Sequence, residues 1–128
     1  MIKLKSILES AITSRIELRP IGHVTCKWDT GNTSRASALN AQHVEVVHDH
    51  VEFTCNGQRY NMPLQGWSKP RDKARRPIVK MKLLWRDNWY ECDIALTDRN
   101  EYQGDLLVNL ETMQRLGVRV DTVTGTVH

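Results

Sequence analysis

From Val24 onward, apolar residues recur mostly at every second position, a pattern that restricts most of this chain to strands. Val24, Cys26 and Trp28 alternate with Thr25 and Lys27, and the run stops at Asp29-Thr30-Gly31, a strand feeding a tight loop. Short strands are expected over 36–41, 43–48 and 51–55, and Asn56-Gly57 is a strong hairpin turn leading to a return strand over 58–63. Gly66, Pro70 and a run of charges then make a long irregular segment, before two β-rich runs over 78–85 and 89–96 that flank Arg86-Asp87-Asn88. Leu106-Leu107-Val108 reads as a short buried strand, 110–116 as a helix capped by Gly117, and 118–127 as a final strand. Residues 3–15, ahead of that pattern, place Leu4, Ile7, Leu8 and Ile12 at helical spacing. The expectation is a mainly β chain: an N-terminal amphipathic helix and linker over 1–20, then a small closed β-barrel over 21–128 with one short C-terminal helix.

A length of 128 residues suits one core. Apolar residues at 40% and charged ones at 26% exclude a disordered tail, collagen or a coiled coil. No window approaches the ~18 uncharged apolar residues of a membrane span, and Met1-Ile2-Lys3-Leu4-Lys5 does not open a signal peptide, so no membrane partner and a cytoplasmic location are expected. Cys26, Cys55 and Cys92 are odd in number and lack a C-x-x-C spacing, which reads as three buried thiols without disulfide or zinc.

The net charge of +3 is unevenly placed: residues 69–82 balance to +6, which leaves the rest of the chain at −3. This patch would draw an anionic partner. No helix-turn-helix, RNP or zinc-finger signature accompanies it, so nucleic acid is not the expected partner.

Asp29-Thr30-Gly31 is the triplet most suited to chemistry, since it holds a carboxylate in the loop after an apolar strand. Acid peptidases need two carboxylates that share a proton, one activating water while the other donates to the scissile carbonyl oxygen. A glycine lets such a loop approach its partner, and a threonine hydroxyl can lock it. One chain carries one such triplet, so activity would need two chains. The competing reading of the same triplet is an ordinary turn at a strand end.

The run Asp-Thr-Gly-Asn-Thr-Ser-Arg-Ala-Ser-Ala-Leu-Asn-Ala (29–41) resembles a known family when taken with Arg-Pro-Ile-Val (76–79), Leu-Thr-Asp-Arg (96–99), Leu-Leu (106–107) and Val-Asp (120–121). It is the bacterial and phage retropepsin-like aspartic peptidase family that carries the label "ATP-dependent zinc protease". The likeness runs over residues 23–121 and implies a retropepsin-like acid-protease barrel that works as a homodimer on peptide or protein substrates, without a metal or other cofactor. Some members are associated with trimming glutamate tails added to a ribosomal protein. The resemblance implies Asp29 as the catalytic carboxylate, with Thr30 and Gly31 shaping its loop. The segment 62–77 then falls where a flap would cover the cleft, which would make Trp67, Lys69, Arg71, Lys73, Arg75 and Arg76 contacts for an acidic peptide. Where the family has a glycine and an arginine after Leu-Leu, this chain has Val108 and Asn109. That difference motivates an alternative: an inactive retropepsin-fold subunit of a phage particle, docked on other virion subunits through the N-terminal helix and located in the host cytoplasm or virion.

His48-Asp49-His50 offers two imidazoles, too few for a metal site, and reads as a polar turn. Trp28, Trp85 and Trp89 read as packing, and Asp98 and Asp121 as turn or end-capping residues. No P-loop, nucleophile elbow or dinucleotide-binding glycine pattern is present.

Overall fold

Strand β1 (Thr13–Arg19) pairs antiparallel with β2 (Gly22–Trp28), and β2 ends at the loop that carries Asp29. After that loop come β3 (Ser37–Asn40), β4 (Gln42–Val47), β5 (His50–Cys55), β6 (Gln58–Pro63) and β7 (Gly66–Ser68). The chain continues through β8 (Arg76–Trp85), β9 (Asn88–Thr97), β10 (Leu106–Val108), a helix α1 (Leu110–Leu116), β11 (Val120–Asp121) and β12 (Thr126–Val127). The structure, a computed structural model, describes residues 13–68, 75–98, 105–121, 123–124 and 126–128.

One sheet runs β1-β2-β10-β3-β9-β8-β7, and a further β1–β8 pairing closes six of these strands into a barrel. Alternation fills it. Val24, Cys26 and Trp28 of β2, Met81 and Leu83 of β8, and Ile94 and Leu96 of β9 are buried in one core. Each such side chain contributes on the order of 1.5–3 kcal/mol by leaving water. The meander β4-β5-β6 forms a separate three-stranded sheet that turns Val51, Phe53 and Cys55 toward that core, with Phe53 stacked on Tyr60 at 5.4 Å.

The expected mainly β barrel with a short C-terminal helix is present, and Gly117 caps that helix at φ 70°. Three expectations need correction. The last residues of the expected helix, 13–15, and the expected linker to residue 20 belong to β1: Ile16 and Leu18 alternate with Arg15, Glu17 and Arg19, and pairing with β2 and β8 makes this segment part of the barrel. Residues 1–12 lie outside the described residues. The irregular segment after residue 63 contains β7, which pairs with the start of β8. The single last strand is instead a small ribbon, β11 against β12, because Asp121 accepts from Val123 N–H and Thr124 N–H and turns the chain.

Candidate active-site loop

Strand β10 lies between β2 and β3, parallel to the first and antiparallel to the second, so the connection 29–36 must cross over its end. Asp29 is the first residue of that crossing. Its N–H donates to Val108 O at 3.1 Å, adding one rung beyond the β2–β10 register. Asn32 N–H donates to Asp29 O at 3.1 Å and closes a turn, while Gly31 N–H donates to the Asp29 carboxylate at 3.1 Å. Asp29 is half-buried as a residue, whereas Thr30 and Gly31 are exposed. A methyl group on Gly31 would stand 3.4 Å from Asp29 Oδ1, an ordinary contact. Within one chain, therefore, sterics alone do not demand glycine there.

The far half of the loop is tied to the start of α1. Leu110 N–H donates to Asn32 O at 2.9 Å. Asn109, 1% exposed, donates from Nδ2 to Ser34 O at 2.8 Å, and its Oδ1 accepts from Thr112 N–H and the Ser37 hydroxyl, each at 3.1 Å. Asn32 Oδ1 accepts from Ser34 N–H at 3.0 Å.

Arg35 links this loop to the hairpin of β7 and β8. A Cβ on Gly66 would meet an Arg35 guanidinium nitrogen at 3.1 Å, so the strand passes close to the guanidinium because residue 66 has no side chain. Trp67 sits half-buried on β7 opposite Pro77, with the Arg75 guanidinium 5.4 Å from its ring centroid. Arg76 pairs with Ser68 at the start of β8. Of the residues expected to bind substrate, Trp67, Arg75 and Arg76 thus share one hairpin stem, while Lys69, Arg71 and Lys73 lie outside the described residues. Asp29, Thr30 and Gly31 form the loop to which Arg35 joins that stem.

Sequence reading marks Asn109 as standing where the similar family carries an arginine, but misses its part as helix cap and loop brace, and misses Ser37 and Arg35 altogether. Asn109 carried a signal as an Asn immediately before a helix with Glu111 in its first turn; nothing local marks Ser37 or Arg35, whose partners are distant in sequence. A charged cleft of about 200 Å³ lies beside the loop, lined by Arg35, Lys80, Glu91, Asp93, Glu111 and Arg115 among others. Its charges are already engaged in part: Lys80 bridges Glu91 at 3.2 Å, and Arg115 donates to Glu91 O at 2.9 Å. Among the described residues no group of three or more His, Cys, Asp or Glu is gathered as for a metal ion. None of their helices is long and apolar enough to cross a membrane. His48 and Asp49 are the exposed turn between β4 and β5, and His50 is the exposed first residue of β5.

No protein-family profile matches this chain, and no curated protein matches it in sequence. Among solved structures, the crystal structure of a protein of unknown function (DUF785) from Legionella pneumophila is similar in fold. The TM-score is 0.70 over 86% of this chain and 89% of that one, at 18% identity.

Proposed function

We propose that this chain is a retropepsin-like aspartic peptidase that works as a homodimer, each copy contributing one Asp29 carboxylate to a shared dyad. The observation that carries the reading is Asp29 at the end of a core strand, in a crossing loop held by backbone bonds to Val108 and Leu110. Such anchoring keeps a catalytic group in register at little cost when the reaction occurs. In the proposed reaction the ionised carboxylate takes a proton from water, and the resulting oxygen nucleophile attacks the scissile carbonyl carbon. The protonated partner carboxyl gives its proton to the carbonyl oxygen. Collapse of the tetrahedral species breaks the C–N bond and passes a proton to the leaving amine.

Arg75 and Arg76 on the hairpin stem beside Trp67, together with Lys69, Arg71 and Lys73 of the same basic stretch of sequence, would favour acidic peptides by charge. A second reading, an inactive subunit of a phage particle, is favoured by fully buried Val108 beside Asp29, where the family it resembles carries glycine.

Cleavage of a mixed peptide library that includes glutamate-rich sequences, followed by mass spectrometry from pH 4 to 7, tests the proposal. Wild type at concentrations where sedimentation shows a dimer should cut, and Asp29→Asn should not. Equal silence from both proteins would sink the peptidase reading and favour the assembly subunit.

A further inference from the structure

We infer that Asn109 is a positioning residue for the Asp29 loop, beyond its part as the helix cap; the inference rests on the reading of Asp29 as a catalytic carboxylate. Three consecutive residues at the β10–α1 junction each hold one residue of the crossing loop. Val108 O accepts from Asp29 N–H, Asn109 Nδ2 donates to Ser34 O, and Leu110 N–H donates to Asn32 O. Two of these bonds are made by backbone and exist whatever the side chains are. The third is made by a side chain, and it is the one that substitution can remove.

Capping does not require that third bond. A cap needs an oxygen facing Thr112 N–H, and serine or aspartate supplies one about as well as asparagine. The orientation of the Asn109 amide is fixed by its neighbours: Thr112 N–H can only donate and Ser34 C=O can only accept, so oxygen faces the helix and nitrogen faces the loop. Ser37, 1% exposed, completes the bracing by accepting from Asn109 N–H at 3.1 Å and donating to Asn109 Oδ1. A buried amide satisfied at both ends is a rigid strut, because freeing either end leaves an unpaired polar atom away from water.

Two substitutions separate the strut from the cap. Asn109→Ser keeps an oxygen for Thr112 N–H and loses the bond to Ser34. Asn109→Asp keeps the cap and the Ser37 contact, but sets a second oxygen against the Ser34 carbonyl. That oxygen can bond to Ser34 only while it carries a proton; burial favours the proton, and donation from Thr112 N–H and the Ser37 hydroxyl opposes it. This variant therefore makes the strut depend on pH, present in acid and broken toward neutrality.

Peptide cleavage from pH 4 to 7 and amide hydrogen exchange by NMR would be measured on wild type, Asn109→Ser and Asn109→Asp. For Asn109→Ser we expect kcat to fall on the order of tenfold, one buried hydrogen bond's worth, with KM within about twofold. Exchange at Asn32 and Leu110 should speed up while Thr112 stays protected. Asn109→Asp should show less activity and less loop protection than wild type at pH 7, where the aspartate is ionised. Unchanged loop exchange and kcat in Asn109→Ser, or wild-type activity and loop protection of Asn109→Asp at pH 7, would overturn the inference. If wild type itself does not cut, the catalytic reading fails separately, and exchange at Asn32 and Leu110 still decides whether Asn109 holds the loop.

Discussion

Asp29 is joined to Val108 by one backbone hydrogen bond, 3.1 Å from Asp29 N to Val108 O, one rung beyond the parallel β2–β10 register. The candidate carboxylate is thereby attached to the most buried part of the barrel, since Val108 is 0% exposed. Local order at the loop and stability of the core are consequences of the same contact.

Val108→Gly tests how far the two can be separated. The carbonyl that accepts from Asp29 remains, but a fully buried side chain is lost. The expected cost is about 2–4 kcal/mol, combining lost burial with the added backbone freedom of glycine. Urea denaturation should show this loss. Amide exchange at Asp29 should stay slow below the transition, because its acceptor is untouched. A loss under about 0.5 kcal/mol would mean that the valine side chain packs against nothing that matters.

Much of the barrel is legible in the sequence for a physical reason: a strand with one buried face must alternate, and β2 does so residue by residue. Asn56-Gly57 announces its turn because both residues adopt left-handed backbone, φ 50° and 78°, which this pair tolerates. Arg86 and Asp87 adopt the same geometry at φ 49° and 67°, and there only the flanking strands reveal the hairpin. β1 is not legible because Ile16 and Leu18 follow a helical stripe, and only the distant partners β2 and β8 decide in favour of a strand. Asp29 stands out by its triplet, but the struts from Asn109 and Arg35 depend on residues 75 and 31 positions from their partners, a juxtaposition that no local pattern records.

The three thiols give a pH prediction with a definite sign. Burial pushes Cys26 up to about 12 and Cys55 up to about 11, with the charge of Asp105 adding to the latter, and burial also raises Cys92. Each ionises more readily in the unfolded chain, at ~8.5. The unfolded state therefore binds fewer protons above that value, and stability should fall steadily as pH rises from about 8.5 toward 11. Iodoacetamide, which reacts with thiolate, should label no cysteine at pH 8 in the folded protein and all three in urea. Fast labelling of the native protein at pH 8 would contradict this account.

Asp121 behaves oppositely at the acid end. Hydrogen bonds from Thr124 N–H and then Val123 N–H hold its carboxyl below the usual range, so its contribution is present above the unfolded value near 4 and is lost as pH falls through the folded one. The β11–β12 ribbon should fray first in acid. Protection of the Val123 and Thr124 amides should be lost as pH falls below about 4 in wild type, and Asp121→Asn should remove that step while keeping an oxygen for the turn.

Arg35 and Gly66 couple the crossing loop to the β7–β8 hairpin, and a double-mutant cycle can measure the coupling. Gly66→Ala brings a methyl carbon to 3.1 Å from an Arg35 guanidinium nitrogen, which must give by a few tenths of an ångström. That atom ends a flexible side chain and can yield, but the backbone of residue 66, at φ 158°, also strains an alanine, so the loss should be about 1–3 kcal/mol. In an Arg35→Ala background the obstructing atom is gone and only the backbone strain remains, so the same substitution should cost measurably less. Backbone amides of Arg35 and Ala36 should shift in Gly66→Ala although they lie thirty residues away in sequence. Equal costs in both backgrounds, with those resonances unmoved, would show that the contact transmits nothing between the basic hairpin and the loop of Asp29.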